Sequence, residues 1–304
     1  MKLSIITINY NNAEGLRKTL ASVASQTYAN IEHIIVDGAS TDGSVDVIKE
    51  YENQLNITHS TIYLLWSSEP DNGIYNAMNK GIEIALGRRV VNSFNRSELV
   101  EDKNIGIQRA TGEYIQILNS GDLLAAPDVT SRMMNALQVK GEEVELLYGN
   151  MVKYDYTNNR TLSKSTEVEY SLRQYYTSTM NHDCCYIRRD LFETYGLYDE
   201  SLKIVSDWKW FLQAIGLGNV KPIYVDIDVT IFDASGISET NLALRNQERR
   251  QVLAELMPPA VLADYDVHAF EMEQMKRLRR WKLYPSVFFI ERVLFKLEKW
   301  KILR

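Results

Sequence analysis

The chain has 304 residues, of which 45% are hydrophobic and 24% charged, a composition typical of a globular protein with a sizeable core. No apolar run approaches the ~20 residues that a membrane-spanning helix needs. Residues 1–9 turn polar too early for a signal peptide and resemble a strand. Cys184 and Cys185 are adjacent, which favours two free thiols over a disulfide or a metal site. These features predict a cytoplasmic chain.

The net charge of −6 is unevenly distributed. Residues 271–304 hold ten Lys or Arg and four Asp or Glu, a net +6, which leaves 24 Lys or Arg, 36 Asp or Glu and a net −12 for residues 1–270. An acidic body argues against general nucleic-acid binding. Because residues 281–304 mix aromatic and basic side chains, they predict a peripheral contact with an anionic membrane surface. Packing on the chain's own domain, or on a partner subunit in a homodimer, fits this pattern equally well.

Strand and helix patterns alternate through the first third of the chain. Buried-strand patterns cover residues 3–8, 31–36 and 61–66, and helical patterns cover 14–25, 44–51 and the residues from 74 onward. Apolar strands in strand–helix–strand order predict a parallel sheet covered by helices on both faces. Polar residues follow three strand ends, at 9–11, 37–42 and 69–72. Since ligands bind such sheets at the carboxyl ends of the strands, this convergence predicts a binding site.

A short internal repeat follows. Residues 79–87 (NKGIEIALG) recur 25 residues later as 104–112 (NIGIQRATG), and the polar residues 88–103 between them resemble an inserted loop. Two copies are too few for a repeat architecture. We expect one copy to lie away from the binding site, in which case Asn79→Ala and Asn104→Ala would weaken nucleotide binding unequally.

The second half has a mixed pattern. A strand over 113–118 leads into a loop at 119–122, and residues 144–148 and 151–156 predict two strands flanking a Gly-Asn turn. Helices are predicted over 190–195 and 207–215, and a late strand, at an edge of the sheet, over 223–232. From 242 the pattern is mainly helical, with breaks at Pro258-Pro259 and Pro285. We therefore predict a main domain over 1–240 and a helical extension over 241–304.

Three aspartates each have a chemical and a structural interpretation. Asp37 could accept a hydrogen bond from the N3–H of a uracil-like base, with Tyr10 stacked on that base, or begin an Asx turn. Asp122 could bind Mg²⁺ or Mn²⁺, which prefer carboxylate oxygen, or simply belong to a turn. Asp207 precedes an aromatic helix. Partial desolvation there is expected to raise its pKa and suit it to act as a general base, although a helix cap is the alternative.

A combination of motifs in a fixed order is the most specific signal. Asp71 precedes a helix on which Tyr75 and Asn79 share one face. The chain resembles the family 2 glycosyltransferases, which have the GT-A fold. The resemblance covers roughly residues 1–235 and is carried by TINYN (7–11), SVASQT (22–27), VDGASTDGS (36–44), EPDNGIYNAMNKG (69–81), ATGEYI (110–115), LNSGD (118–122), His182, GLYDE (196–200) and SDW (206–208).

The resemblance implies an α/β fold with a Rossmann-like, mostly parallel sheet, a nucleotide-binding half over 1–122 and an acceptor half over 123–240. It also implies an inverting transfer of a hexose or N-acetylhexosamine from a UDP-sugar to an acceptor hydroxyl, which would belong to a lipid-linked glycan in surface-polysaccharide synthesis. The implied roles are nucleotide binding by Thr7, Tyr10, Asp37, Asp71, Asn79 and Lys80, diphosphate contact by Asn119, Ser120 and Gly121, Mn²⁺ or Mg²⁺ binding by Asp122, acceptor contact by His182 and Trp208, and general base catalysis by Asp207.

One departure from the family pattern concerns the metal. The family's Asp-X-Asp element ends at Asp122, but the residues before it are Asn119, Ser120 and Gly121, so one usual carboxylate is missing. This leaves room for a catalytically inactive sugar-nucleotide-binding module. A nucleotidyltransferase is a second alternative, although neither glycine-rich phosphate-loop pattern occurs.

Overall fold

A computed structural model describes residues 1–91, 110–141, 143–156, 158–167, 171–233 and 241–280, together with 286, 288–290, 292 and 295. The chain divides into two compact units, Met1–Arg250 and Gln251–Arg304. The domain boundary at 240/241 drawn from the sequence stays a prediction. Among the described residues, no helix is both long and apolar enough to cross a membrane.

The N-terminal half of the first unit alternates strands with helices, as predicted. Its elements are β1 (Leu3–Asn9), α1 (Ala13–Ala24), β2 (Ile31–Asp37), α2 (Ser44–Ile57), β3 (Tyr63–Ser68), α3 (Ile74–Ala85) and β4 (Tyr114–Ile117). Every residue of β1 and β2 is buried. The continuous apolar runs of these two strands therefore reflect burial on both faces of the sheet, with helices supplying the cover.

The parallel strands end at the same edge of the sheet. β1 pairs with β2 and with β4, and β2 pairs with β3, all in parallel. The register places Asn9 beside Asp37, and Asp37 beside Ser68. The polar residues that follow β1, β2 and β3 are consequently brought together, which was the basis of the predicted binding site.

The second half of this unit adds mostly antiparallel pairings. Its elements are β5 (Leu123–Leu124), α4 (Val129–Lys140), β6 (Leu146–Asp155), β7 (Arg160–Lys164), α5 (Leu172–Thr177), a 3₁₀ turn (His182–Cys184), β8 (Cys185–Arg188), α6 (Asp190–Tyr195), α7 (Ser206–Phe211) continued by a π-helical turn (Leu212–Leu217), and β9 (Pro222–Asp233). In the described chain the strand order is β3-β2-β1-β4-β8-β6-β9-β5, with β7 on β6. The predicted α/β class is confirmed.

Two predictions in this half are wrong. Gly149-Asn150 is no turn, because β6 runs through it to Asp155 and pairs with β7, which begins at Arg160. A Cβ at Gly149 would lie 2.5 Å from the carbonyl oxygen of Ile227, so glycine is needed there for close approach of β9. The predicted late strand is β9, and it lies between β6 and β5 rather than at an edge.

Two helices complete the described chain: α8 (Leu242–Leu256) and α9 (Pro259–Arg279). Their break at Pro258-Pro259 was predicted. Both cysteines are free and buried, in agreement with the sequence-based interpretation. The loop at 92–103 and most of the second repeat copy, including Asn104, lie outside the described residues.

Candidate active site

A cavity of about 790 Å³ opens at the carboxyl ends of the parallel strands. The ends of β1 and β2, the segment after β3 and the loop after β4 form one side, and residues from the acceptor half close the other. Its lining includes Asn9, Tyr10, Asn12, Gly38, Asp71, Tyr75, Asn119, Ser120, Gly121, Asp122, His182, Lys203, Ile204, Asp207 and Asp233. The cavity thus opens at the edge of the sheet where the sequence predicts the binding site.

Tyr10 and Asp71 lie side by side at one end of the cavity. Tyr10 is 67% exposed, which is unusual for a large aromatic ring and leaves a face for a ligand. Asp71 accepts a hydrogen bond from the backbone N–H of Gly73 at 2.9 Å. Both side chains close over Gly38, where a Cβ would collide with the Asp71 carboxylate. Glycine at this position lets the two side chains approach the strand end.

Asp207 also lines the cavity, where two hydrogen bonds hold it. Tyr75 donates its hydroxyl to Oδ1 at 2.9 Å, and Nδ1 of His182 lies 3.1 Å from Oδ2. The side chains of Asp207 and His182 are each 16% exposed, so both can meet a molecule in the cavity. These contacts fix the orientation of the carboxylate.

The pKa of Asp207 differs in direction from the sequence-based expectation. Burial alone would raise this pKa, but the hydrogen bond and charge of His182 and the hydrogen bond from Tyr75 hold it below its ordinary value. The expected upward shift was therefore wrong, because the aromatic run hid the polar partners that the fold supplies. Asp207 is ionised at neutral pH and ready to accept a proton.

The pKa of His182 moves in the opposite direction. Burial lowers it, whereas the hydrogen bond to Asp207 and the charges of Asp207, Asp183 and Asp122 raise it, and the net pKa lies above the ordinary value. On its other side, Nε2 of His182 lies 3.3 Å from Nδ2 of Asn119. His182 therefore connects the loop after β4 with the carboxylate on α7.

The loop of residues 119–122 is held by α1. Asn12 donates to the carbonyl oxygen of Ser120 at 3.0 Å, and the backbone N–H of Gly121 donates to Oγ1 of Thr19 at 2.9 Å. Gly121 has a φ of 108°, a conformation that favours glycine. The loop thus presents its backbone to the cavity in a fixed conformation.

Asp122 lies at the bottom of the cavity, 4% exposed. Its Oδ1 accepts a hydrogen bond from the backbone N–H of Asp233 at 3.1 Å. Burial, followed by repulsion from Asp183, raises the pKa of Asp122 to about 8. Within the described ranges, no cluster of three or more His, Cys, Asp or Glu side chains is arranged to hold a metal ion. Asp122 would therefore need oxygen ligands from a bound molecule and from water to complete a coordination sphere.

Comparisons with known proteins agree with these features. The family model described as "Glycosyl transferase family 2" matches residues 4–93. An uncharacterized glycosyltransferase of Mycobacterium tuberculosis is 28% identical over 241 residues, covering 77% of this chain and 76% of the relative. A PGL/p-HBAD biosynthesis glycosyltransferase of Mycobacterium bovis is 24% identical over 238 residues, covering 78% and 79% of the two chains.

Solved structures share the fold. S. aureus TarS 1–349, crystallised with UDP-GlcNAc, superposes with a TM-score of 0.58 at 18% identity, covering 83% of this chain but only 64% of TarS 1–349. The mannosyltransferase PcManGT of Pyrobaculum calidifontis, crystallised with GDP-Man and Mn²⁺, gives 0.53 at 16% identity, covering 97% and 85%. The family model and these relatives support a family 2 glycosyltransferase. The fold of the chain is the expected GT-A fold, with helices flanking the sheet.

Two residues expected at the nucleotide are not brought to the cavity of this glycosyltransferase. Asp37 is fully buried, and its carboxylate accepts four hydrogen bonds, from Asn9 Nδ2, the Ser40 N–H, Ser40 Oγ and Ser68 Oγ, at 2.6 to 3.0 Å. Thr7 is also fully buried, with Oγ1 3.0 Å from Nε2 of His33. To contact a nucleobase, Asp37 or Thr7 would have to break these hydrogen bonds.

Asn79 and Lys80 are likewise not among the lining residues. Asn79 donates to the carbonyl oxygen of Tyr198 at 2.9 Å and to Glu200 at 2.8 Å, and accepts from the Tyr198 N–H at 2.9 Å. Lys80 donates to the carbonyl oxygen of Pro70 at 2.7 Å and pairs with Glu69 at 3.2 Å. Asn79 therefore joins α3 to the acceptor half, and Lys80 holds the segment that presents Asp71.

Trp208, expected beside the acceptor, is 1% exposed and points away from the cavity. Its Nε1 donates to the carbonyl oxygen of Tyr175 at 2.8 Å, and Arg249 lies 4.9 Å from its ring. Adjacent residues on the first turn of α7 project in different directions, so Asp207 reaches the cavity while Trp208 packs into the interior.

Several residues at the cavity were given no role from the sequence. Lys203, Ile204 and Asp233 line the cavity, and Tyr75 is the hydrogen-bond donor to Asp207. Glu248 on α8 accepts hydrogen bonds from the backbone N–H groups of Lys203 and Ile204 at 2.7 and 2.9 Å. The sequence signal for these contacts was the shared face of Tyr75 and Asn79 on α3. Both side chains contact residues between 123 and 240, Tyr75 at Asp207 and Asn79 at Tyr198.

Proposed function

We propose that this glycosyltransferase moves a hexose or N-acetylhexosamine from a UDP-sugar to an acceptor hydroxyl with inversion at the anomeric carbon. The observation that carries the proposal is Asp207, an ionised carboxylate oriented by Tyr75 and His182 at the wall of the cavity. An inverting transfer needs a base in that state, facing an acceptor that attacks from the side opposite the leaving group.

Tyr10 and Asp71 are assigned to binding the nucleotide of the UDP-sugar. An exposed aromatic ring provides a surface on which a base can stack, and a carboxylate can accept the imide N–H of uracil. Asp37, with all its hydrogen bonds made inside the protein, supports this end of the cavity from below. TarS, which is 18% identical to this chain, was crystallised with UDP-GlcNAc, and this supports UDP as the nucleotide.

A divalent cation, Mn²⁺ or Mg²⁺, fits the diphosphate end. Asp122 is a buried carboxylate near Asp183, and repulsion between the two contributes to its raised pKa. A cation beside Asp122 would offset this repulsion and the burial of its negative charge. When bound, the cation would neutralise charge on the departing diphosphate. Asn119, Ser120 and Gly121 form the adjacent wall and are assigned to diphosphate contact. PcManGT, crystallised with Mn²⁺, supports this assignment.

The proposed reaction is a single displacement. The acceptor oxygen forms a bond to the anomeric carbon while the bond from that carbon to the diphosphate oxygen breaks. The proton of the acceptor hydroxyl passes to Asp207, which later releases it to water. His182 lies beside Asp207 and is assigned to the acceptor side of the cavity.

Asp207→Asn tests this proposal. The substitution keeps the shape of the side chain and removes its ability to take a proton, so we expect sugar transfer to fall by about 10²- to 10⁴-fold. Affinity for UDP, measured by calorimetry, should change little because the contacts to uracil and diphosphate are assigned to other residues. Asp128→Asn, at an exposed carboxylate without a side-chain capping bond, is the matched control. Unchanged transfer by Asp207→Asn would refute the base assignment.

The acceptor is proposed to be a glycan or lipid-linked glycan of surface-polysaccharide synthesis. One relative is named for PGL/p-HBAD biosynthesis. The basic, aromatic residues 281–304 are proposed to contact a membrane carrying such an acceptor. Phe289, 69% exposed, is a suitable probe. Phe289→Glu should reduce flotation with anionic liposomes, whereas Val139→Glu on α4, at an apolar residue that is also highly exposed, should not.

A further inference from the structure

Asn119 lies three residues before Asp122, and its side chain points at a histidine. Its Nδ2 lies 3.3 Å from Nε2 of His182, whose Nδ1 lies 3.1 Å from Oδ2 of Asp207. An amide nitrogen can only donate, so Nε2 of His182 is the acceptor in this arrangement. With the amide in this orientation, the neutral imidazole carries its proton on Nδ1 and donates it to Asp207. Asn119, His182 and Asp207 thus form a hydrogen-bonded chain in which Asn119 donates to His182 and His182 donates to Asp207.

The amide of Asn119 can serve both charge states of His182. If the ring becomes an imidazolium, Nε2 turns into a donor, and a half-turn of the amide places Oδ1 opposite it. In the described part of the chain, Oδ1 of Asn119 is buried without a hydrogen-bond partner, so no contact holds the amide in one orientation. An aspartate at this position could only accept, and would therefore favour the imidazolium.

We propose that Asn119 is a positioning residue that lets His182 become neutral while keeping it hydrogen-bonded to Asp207. The inference rests on the proposed role of Asp207 as the base. A neutral ring leaves Asp207 a stronger proton acceptor than an imidazolium does, because the adjacent positive charge stabilises the carboxylate.

The charges around His182 make this role necessary. Asp207 on α7, Asp183 on its own 3₁₀ turn and Asp122 at the end of the β4–β5 loop all favour the imidazolium. A fourth carboxylate, at residue 119 and in direct contact with Nε2, would keep the ring protonated well above neutral pH. An asparagine in this place adds a hydrogen bond without adding charge.

The decisive experiment is the titration of His182 in Asn119→Asp, followed by NMR on protein carrying ¹⁵N-labelled histidine. The signals of His182 are assigned with His182→Gln, and the ¹⁵N shifts report which ring nitrogen is protonated. In the wild type we expect the neutral ring to carry its proton on Nδ1. Asn119→Asp should raise the pKa of His182 by about one to three pH units. Asn12→Asp, which adds the same charge elsewhere in the cavity lining, should produce a clearly smaller shift.

A shift in Asn119→Asp no larger than that in Asn12→Asp would overturn the proposal. If Asn119→Asp does not fold, Asn119→Ala tests the same contact, because loss of the donor to Nε2 removes a hydrogen bond that stabilises the neutral ring and should raise the pKa of His182. An unchanged pKa of His182 in Asn119→Ala would overturn the proposal.

The pH profile of sugar transfer tests the link to the base. The acid limb of kcat/KM should move upward in Asn119→Asp by the same number of pH units as the His182 titration. A shifted titration with an unshifted profile would overturn the coupling to Asp207. Absence of transfer by the wild type with every UDP-sugar would instead count against the proposed function, and the NMR result would still decide the contact between Asn119 and His182.

Discussion

The hydroxyl of Tyr75 donates a 2.9 Å hydrogen bond to Oδ1 of Asp207 across a sequence separation of 132 residues. Tyr75 lies in the first turn of α3, in the N-terminal half of the first unit, and Asp207 lies in the first turn of α7, in the second half of that unit. The contact therefore joins the segment that presents Asp71 to the proposed base. It also contributes to the low pKa of Asp207.

Tyr75→Phe should weaken sugar transfer by roughly tenfold and raise the pKa of Asp207, whose ionisation lies below that of His182 on the acid side of the pH profile, because Asp207 loses a donor that stabilises its ionised form. Steady-state kinetics across pH would measure both effects. Tyr198→Phe is the matched control: its ring lies 5.7 Å from that of Tyr75, and its buried hydroxyl has no hydrogen-bond partner among the described residues. Equal effects of the two substitutions would contradict the role of the Tyr75 hydroxyl.

Asp37 and Asp71 should respond in opposite ways to removal of their charge. Asp37→Asn turns an amide N–H₂ toward groups that donate to this buried carboxylate, so we expect the free energy of unfolding to fall by about 2–3 kcal/mol. Asp71→Asn should cost less than about 0.5 kcal/mol and mainly weaken UDP binding. Chemical denaturation and calorimetry of both variants measure this. If Asp37→Asn kept full stability but lost UDP binding, Asp37 would be identified as the direct contact to the uracil base.

Asn79→Ala should destabilise the protein more than it weakens nucleotide binding. The substitution leaves the Tyr198 backbone N–H and carbonyl without their buried partner, which we expect to cost roughly 2–4 kcal/mol. Asn76→Ala is the control, because Asn76 is more exposed and donates to Glu200 at 2.8 Å without reaching the Tyr198 backbone. A large loss of UDP affinity in Asn79→Ala at unchanged stability would instead support the nucleotide contact implied by the sequence.

Asp122→Asn should change how stability depends on pH and on metal. With cations chelated, the raised pKa of about 8 means that folded Asp122 keeps a proton that the unfolded chain releases near pH 4. Between these values the native state binds more protons, so this group makes the free energy of unfolding fall as pH rises. Relative to wild type, Asp122→Asn should therefore gain stability across this window.

Mn²⁺ supplies the second measurement on the same variant. By binding the native state it should raise the Tm of the wild type at about pH 8, and much less that of Asp122→Asn. Asp128→Asn, at an exposed carboxylate, should behave like the wild type in both measurements. An equal Mn²⁺ response in all three proteins would show that the cation binds elsewhere.

Local sequence was sufficient to predict the strands and helices of the N-terminal half of the first unit. The apolar runs of β1 and β2, with no polar alternation, indicate strands covered on both faces, and the polar residues after them mark the ligand edge of the sheet. The Gly149 error arose because a glycine within a strand resembles a turn in sequence. Its actual reason, the close approach of β9, involves a segment more than seventy residues away.

Which of the motif residues face the cavity depended on tertiary contacts. Asp37 and Asp71 are both aspartates after buried strands, yet one is enclosed by four donors and the other lines the cavity. Likewise, the aromatic residues beside Asp207 suggested a raised pKa, and His182 and Tyr75 reverse its direction. Burial and hydrogen-bond partners arise from residues distant in sequence. The motifs therefore determined the family and the edge of the sheet that binds ligands, while only the assembled fold decided the direction and charge of each side chain.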